Sequence, residues 1–120
     1  MRKCLFILFG PCLFTACHHH DDHPVDEQSE RTVLVYMAAE NNLNSFAASD
    51  LEEMKTGSKS LDKRHNRIVY VDQAETTPPY IARIKNGVLV DSVSMAESFT
   101  ADPAVMEKVL SYTRQTYPAA

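Results

Sequence analysis

A continuous run of β-branched and apolar residues constrains the fold of this chain more than any other feature. Thr32 to Ala38 contains no charged residue and does not alternate between apolar and polar positions. Such a run is typical of a strand covered on both faces of a parallel sheet, because a strand with one wet face alternates. We therefore expect a strand, buried on both faces, to open an α/β domain.

The following residues predict a helix and a second strand. Four apolar residues lie on one side of the predicted helix: Leu43, Ala47, Leu51 and Met54. We expect Asn42 or Asn44 to cap this helix and Gly57 to end it in a left-handed conformation. Residues 67–72, which are apolar from Ile68 to Val71, then predict a second buried strand that ends in the carboxylate of Asp72. Strand, helix and strand of these lengths make a right-handed crossover, so the two strands should be parallel.

A hairpin and a second helix complete the predicted elements. Asn86-Gly87 separates two strand-like segments, residues 80–85 and 88–93, and this dipeptide suits a type I′ turn. We expect the hairpin at a sheet edge or as an excursion from the sheet. Asp102 as cap and Pro103 as first helical residue then predict a helix that continues to residue 117. A parallel sheet requires a further strand after such a crossover helix.

The first 16 residues have the order of a secretory signal: basic residues, an apolar stretch and small residues. The apolar stretch, residues 5–14, is shorter than the ~20 residues that cross a bilayer as a helix. Phe14-Thr15-Ala16-Cys17 is similar to a bacterial lipobox. We therefore expect a lipoprotein signal peptide over residues 1–16 and lipid on Cys17; the alternative is ordinary cleavage that leaves a free thiol.

Residues 17–30 are rich in His and Asp and carry almost no apolar side chain, so we expect a disordered tether. Its four histidines, His18, His19, His20 and His23, with Asp21 and Asp22, have side chains that bind transition metals. A flexible polar spacer is the preferred interpretation, because nothing orients the imidazoles, and we predict no metal site and no cofactor. Acidic residues after a lipidated cysteine also resemble surface-export signals. We expect a cell-envelope location, on the outer membrane or the cell surface.

Charge and cysteine usage narrow the function further. The net charge is −4, and removal of the leader's two basic residues makes it more negative. The absence of a basic stripe argues against a nucleic-acid partner. The three cysteines, Cys4, Cys12 and Cys17, all lie in or directly after the leader. No disulfide is therefore expected within the mature chain.

Two segments resemble the clostripain-like cysteine endopeptidases: Val33-Leu-Val-Tyr-Met-Ala-Ala-Glu-Asn-Asn-Leu43 and Asp50-Leu-Glu-Glu-Met54. Glu40 stands where the family usually has Asp. The resemblance implies an α/β fold over residues 31–120, part of a caspase-like three-layer sandwich with parallel strands, crossover helices and one β-hairpin. It also implies cleavage of a peptide or protein substrate after Arg or Lys by a His–Cys dyad. Both dyad positions would follow Ala120, so we assign no catalytic residue in this chain.

The candidate substrate-cleft residues are Asn41, Asn42 and Asp72, because active sites of α/β sheets lie at the carboxyl ends of strands. The alternative for both asparagines is turn formation and helix capping. His65 precedes its strand and is interpreted as a surface residue, while Tyr36, Tyr70 and Phe46 fit core positions. Two functions remain open: the amino-terminal part of a clostripain-like endopeptidase, or a non-catalytic, lipid-anchored surface lipoprotein or binding module. A metal-scavenging lipoprotein is a weaker third.

Overall fold

The computed structural model describes residues 29–73, 78–96 and 100–120. They form four strands and two helices: β1 (Arg31–Ala38), α1 (Asn44–Gly57), β2 (His65–Asp72), β3 (Tyr80–Lys85), β4 (Val88–Ser94) and α2 (Pro103–Thr116). The predicted signal peptide, Cys17 and almost all of the predicted tether lie outside the described residues, so those expectations stay predictions.

The four strands form one sheet in the order β1-β2-β3-β4. β1 pairs with β2 in parallel, from Arg31 opposite His65 to Ala38 opposite Asp72. β3 runs antiparallel to both β2 and β4. The predicted parallel crossover and the predicted hairpin are therefore both confirmed.

The two helices cover opposite faces of this sheet, which makes three layers. On β2, Ile68 and Tyr70 belong to the apolar cluster formed with α2, whereas Val69 and Val71 belong to the cluster that includes Leu51 of α1. Burying each such side chain contributes about 1.5–3 kcal/mol relative to an exposed one. β2 is the best-buried strand because it has a neighbour on each side and a helix on each face.

β1 is less buried than its sequence predicts. The interior of the strand is half-buried, and Val33 remains 45% exposed. Among the described residues β1 has one sheet neighbour, β2, so its other edge and parts of both faces remain open. The expectation of a strand buried on both faces is therefore wrong for the part of the chain described here.

The ends of α1 also differ from the prediction. Leu43 occupies the N-cap position without a side-chain hydrogen bond, so neither Asn42 nor Asn44 caps the helix. Gly57 is the last helical residue, and the chain passes through Ser58 in a right-handed conformation, with its N–H donating to the Met54 carbonyl. A left-handed residue is not needed at this end of α1, because the Ser58 N–H already donates to a carbonyl of the last turn.

The hairpin between β3 and β4 has the predicted turn. Asn86 and Gly87 have φ angles of 49° and 86°, both in the left-handed region that a type I′ turn requires. Asp91 has a φ of 53° and lies where the register between β3 and β4 shifts, which identifies a β-bulge. β4 is thus an irregular edge strand.

α2 begins as predicted. The Asp102 carboxylate accepts a hydrogen bond from the Ala104 N–H at 2.9 Å, and Pro103 occupies the first turn. Val105 and Val109 are buried against the sheet, but Leu110 is 45% exposed, so only part of the apolar face of the helix is covered. No helix among the described ranges is long and apolar enough to span a bilayer.

Candidate functional site

The parallel pairing of β1 and β2 brings their carboxyl ends to one edge of the sheet. Ala38 lies opposite Asp72, and the Ala39 N–H donates to the Asp72 carbonyl at 2.7 Å. This contact extends the pairing by one residue before the chain turns outward at Glu40. In open α/β sheets this edge is where ligands bind, so the predicted cleft residues are concentrated at the expected place.

The Asp72 carboxylate is fully buried at this edge. Thr100 lies in the segment that precedes α2, and its hydroxyl donates to Oδ2 of Asp72. Its other oxygen, Oδ1, has no hydrogen-bond partner among the described residues. A buried carboxylate is costly to maintain unless it is hydrogen-bonded, so the groups around Asp72 matter for the stability of this edge.

Two stacked tyrosines stand beside Asp72. The rings of Tyr36 and Tyr70 lie 4.6 Å apart at 21°, because the two residues are opposite each other in the parallel register. The Tyr36 hydroxyl donates to the Thr100 carbonyl at 3.0 Å. The Tyr70 hydroxyl is buried, and it lies close enough to the Asp72 carboxylate for a hydrogen-bond interaction to contribute to its raised pKa. Thr100 therefore connects to both β1 and β2 at this site.

Burial and the nearby carboxylates keep both phenols protonated. Burial raises the pKa of Tyr70, and the negative charge of Asp72 raises it further. Burial is also the main cause that raises the pKa of Tyr36, followed by Asp72, with smaller contributions from Asp102 and Glu40. The same electrostatics show that three carboxylates act on this one edge of the sheet, so it has a negative potential.

The predicted asparagines lie on the exposed rim of this edge. The Asn41 side-chain oxygen accepts a hydrogen bond from the Leu43 N–H at 2.9 Å, and the Asn41 carbonyl accepts from the Asn44 N–H at 3.2 Å. Asn41 therefore shapes the turn between β1 and α1. Both asparagines follow shortly after Ala39, which bonds to the Asp72 carbonyl, but are themselves open to solvent.

His65 lies at the opposite end of the sheet. It is the first residue of β2, paired with Arg31 at the amino end of β1, so it is a full strand length from Asp72. It is partly buried rather than fully exposed, which differs from the expected surface position, because it belongs to the strand and not to the preceding loop. The described residues contain no cluster of metal-binding side chains.

Sequence reasoning missed Thr100 and the pairing of the two tyrosines. Tyr36 and Tyr70 each lie two residues before the end of their strands, a shared spacing that predicts a common face and neighbouring positions in parallel strands. No sequence signal identified Thr100, because it is brought to Asp72 by the path of the chain before α2. Phe46, expected in the core, is 64% exposed.

The arrangement can bind a positively charged group, but it contains no nucleophile. The sequence has no cysteine after Cys17, and His65 lies at the wrong end of the sheet for this site. What the edge offers is negative charge, a buried carboxylate, and exposed amides at its rim.

Comparison with known proteins identifies the family. The sequence model of the clostripain family, Peptidase C11, matches residues 35–120. A cysteine protease of B. fragilis is 38% identical, with a TM-score of 0.68; the alignment covers 75% of this chain and 80% of that chain. A secreted C11 cysteine protease of Bacteroides thetaiotaomicron, solved with an irreversible peptide inhibitor, is 34% identical with a TM-score of 0.61. No curated protein matches this chain.

The fold also agrees with an inactive zymogen C11 protease of Parabacteroides distasonis, at 20% identity and a TM-score of 0.67. The matched chains differ in extent. This chain covers 28% of the P. distasonis zymogen and 26% of the B. thetaiotaomicron protease, so it spans about a quarter of their length. The residues matched by the family model include the second half of β1, all of β2 and the carboxylate edge described above. The α/β sandwich is therefore that of the C11 proteases, and the chain belongs to the clostripain family of cysteine peptidases.

Proposed function

We propose that residues 31–120 form the amino-terminal part of a C11 cysteine endopeptidase that cleaves peptides after Arg or Lys. In this proposal the chain supplies one side of the substrate cleft, and the His–Cys dyad comes from polypeptide outside it. The observation that carries the proposal is the group of carboxylates around the tyrosine pair at the carboxyl edge of β1 and β2.

The electrostatics of this edge favour a basic substrate side chain. Asp72 lies in a low-dielectric environment, where its field is screened less than that of a surface carboxylate. The negative charges of Glu40 and Asp102 also act on Tyr36. A guanidinium or ammonium group would therefore be attracted to this edge. Asn41 and Asn42, at the rim, have amides suited to contact the backbone of a bound peptide.

The open edge of β1 supports the part of the proposal that concerns the dyad. A groove of about 410 Å³ lies between β1 and α1, lined by residues such as Met37 and Phe46. A second groove of about 370 Å³ lies between β1 and α2, lined by residues such as Leu34 and Leu110. An apolar strand with an unpaired edge and a groove on each face suits the addition of another strand and its crossover. The much longer C11 chains contain polypeptide that can provide them.

Sequencing the gene beyond codon 120 is the first test. A downstream histidine and a cysteine, each at the end of a predicted strand, would support the endopeptidase. An immediate stop codon would contradict it and favour the alternative, a non-catalytic lipid-anchored lipoprotein or binding module. The observation that favours this alternative is the lack of any cysteine after Cys17.

The protein that includes the downstream sequence then tests specificity. We expect cleavage of peptides after Arg or Lys and no cleavage after Glu. Glu40→Gln should raise KM for the Arg peptide, because it removes one negative charge at the cleft edge, whereas Glu53→Gln, on an exposed position of α1, should leave KM unchanged. Equal KM values for the two variants would contradict a role of this edge in binding the basic side chain.

The asparagines need a separate test in that same protein. Asn42→Ala should lower turnover without lowering the melting temperature, if the amide contacts substrate. A lower melting temperature with unchanged turnover would assign Asn42 to the turn instead. For Asn41→Ala we expect a lower melting temperature, because the Asn41 side chain accepts a hydrogen bond from the Leu43 N–H. Turnover and melting temperature should be measured as for Asn42→Ala.

Membrane attachment through lipid on Cys17, and hence a location at the outer membrane or cell surface, completes the proposal. It depends on the lipobox-like sequence that ends at Cys17. Cells grown with labelled palmitate should yield labelled protein, and Cys17→Ser should abolish the label. An unlabelled wild-type chain would contradict lipidation without affecting the proposed peptidase family role.

A further inference from the structure

A second, smaller pocket lies at the end of the sheet opposite the carboxylate edge. It has a volume of about 170 Å³ and is enclosed by the α1–β2 loop, the amino end of β2 and the β3–β4 turn. Lys59 and Lys63 border it from the loop, His65 and Arg67 from β2, and Asn86 from the turn. We call this the basic pocket.

Positive charge is concentrated around the basic pocket although the chain as a whole is acidic. Arg83 and Lys85 of β3 border it as well, and no Asp or Glu does. Arg83 is directed elsewhere, with its guanidinium 5.9 Å from the centre of the Tyr117 ring. The remaining cations form no ion pair with any described residue. On a chain of net charge −4, this grouping is an unbalanced positive site.

The nearest carboxylate does not neutralise the basic pocket. Asp62 lies in the same loop, but both of its oxygens accept hydrogen bonds from Arg64, at 2.7–3.2 Å. These bonds lower the pKa of Asp62 to about 2, so the carboxylate stays ionised and paired. Arg67 donates to the Asp62 backbone carbonyl and not to its side chain.

Hydrogen bonds hold the walls of the basic pocket in place. The buried Ser58 hydroxyl accepts from the Gly87 N–H at 2.8 Å and donates to the Lys55 carbonyl at 2.7 Å. It thereby joins the end of α1 to the hairpin turn. The bond from Arg67 to the Asp62 carbonyl joins the loop to β2. The charged groups are therefore carried on a framework that does not have to form when a ligand binds.

One buried polar atom at the basic pocket lacks a partner. Nδ1 of His65 is inaccessible to solvent and has no hydrogen-bond partner among the described residues. An unsatisfied buried polar atom destabilises the folded state. Because Nδ1 is closed to solvent, the His65 ring can meet a ligand in the pocket only through its other atoms.

We propose that the basic pocket binds a phosphate group. A phosphate is compact enough for the pocket, carries up to two negative charges, and accepts hydrogen bonds from several directions at once. Three lysines, Arg67 and the His65 ring border the pocket from different elements. The proposal is independent of the peptidase activity, since this site lies at the other end of the sheet.

The phosphate can belong to a free ion or to a phospholipid headgroup. The Glu30 N–H donates to the Arg64 carbonyl at 2.8 Å, so the segment that leads from the predicted lipid anchor enters the domain at this same end of the sheet. If Cys17 carries lipid, the basic pocket is on the side of the domain where the tether attaches. Both sources share one chemistry, and the experiment separates them.

The full chain in neutral detergent micelles, labelled with ¹⁵N, provides the test. We expect inorganic phosphate to shift the amide signals of Lys63, His65, Arg67 and Gly87 in a saturable way, and sodium chloride of equal ionic strength not to. If the headgroup is the ligand, micelles containing phosphatidylglycerol should shift the same signals and compete with inorganic phosphate. Absence of saturable shifts with both probes would overturn the proposal.

Charge-matched variants separate the basic pocket from general attraction. Lys59→Gln with Lys63→Gln should weaken binding at least tenfold, whereas Lys108→Gln with Arg114→Gln, on the exposed face of α2, should change it less than twofold. Equal weakening in both double variants would overturn the proposal. All four side chains are exposed, and a native amide spectrum verifies folding; Lys63→Gln alone replaces the first pair if that pair unfolds the chain.

Discussion

At the scale of single residues, Asp72 and Thr100 show how a buried charge is tolerated in this fold. Asp72 is fully buried, and the hydroxyl of Thr100 donates a hydrogen bond to its side chain. A charge buried at a sheet edge needs such a donor, because water no longer solvates it. Thr100 therefore stabilises the carboxylate by a hydrogen bond. Thr113 is also buried, but its hydroxyl donates to the Val109 carbonyl within α2.

This contrast predicts different effects for two identical substitutions. Thr100→Val should lower the free energy of unfolding by about 1–3 kcal/mol, because it leaves the Asp72 carboxylate without its donor. Thr113→Val should change it by less than about 0.5 kcal/mol, since the Val109 carbonyl keeps its helical partner. Urea denaturation of both variants measures the difference. Equal destabilisation would show that the Thr100–Asp72 hydrogen bond contributes no more to the free energy of unfolding than the Thr113–Val109 bond does.

At the scale of elements, the hairpin turn and the end of α1 were both expected to use left-handed glycines, and only the hairpin does. Gly87 has a φ of 86°, and a Cβ there would lie 2.4 Å from the Lys59 side chain. Gly57 lies in the last turn of α1, with nothing within 4 Å of an added Cβ. The two positions thus differ in backbone conformation rather than in sequence pattern.

Replacing each glycine by alanine tests this difference. Gly87→Ala should destabilise the domain by about 1 kcal/mol or more, because alanine is strained at positive φ even if Lys59 moves away. Gly57→Ala should stabilise it by about 0.4–1 kcal/mol, because alanine reduces the entropy of the unfolded chain and favours helix. Thermal unfolding of both variants provides the measurement. Stabilisation by both would contradict the observed turn geometry.

At the scale of the whole molecule, buried tyrosines connect the sheet to both helices. Burial raises the pKa of four tyrosines, Tyr36, Tyr70, Tyr80 and Tyr117, above the unfolded value of 10.0. Because the folded protein holds these protons more tightly than the unfolded chain, their contribution to stability is complete below pH 10 and decreases as the pH rises above it.

We therefore expect the melting temperature to fall steeply above about pH 10 and to change little from about pH 8 to that point. The tyrosinate absorbance of these four residues should rise together with unfolding, not before it. Tyr80→Phe should make the decline less steep, because it removes one of the four protonation differences. Tyrosine ionisation well before unfolding would show that the side chains are not buried as described.

Features of the fold that depend on adjacent residues were predicted better than features that depend on distant contacts. The Asn86-Gly87 turn and the Asp102–Pro103 helix start follow from a few adjacent residues, and both were predicted correctly. The caps of α1 were not predicted correctly. Asn41, Asn42 and Asn44 can each form a competing hydrogen bond, and the sequence does not show which of these bonds is the most stable. The burial of β1 was overestimated. An apolar sequence shows that a strand can be buried, but burial also depends on which elements lie beside it among the described residues.

The amino-acid sequence by itself determined the order of strands and helices, the parallel crossover and the hairpin, because each rests on periodicity, turn chemistry or adjacent residues. The clostripain family was indicated by the resemblance of residues 33–43 and 50–54 to its members. Only the tertiary structure decided that Thr100 bonds to Asp72, that Tyr36 stacks on Tyr70, and that lysines and arginines from three segments surround one pocket. These contacts join residues far apart in the chain, and their distances depend on strand register and helix packing, which no local pattern records.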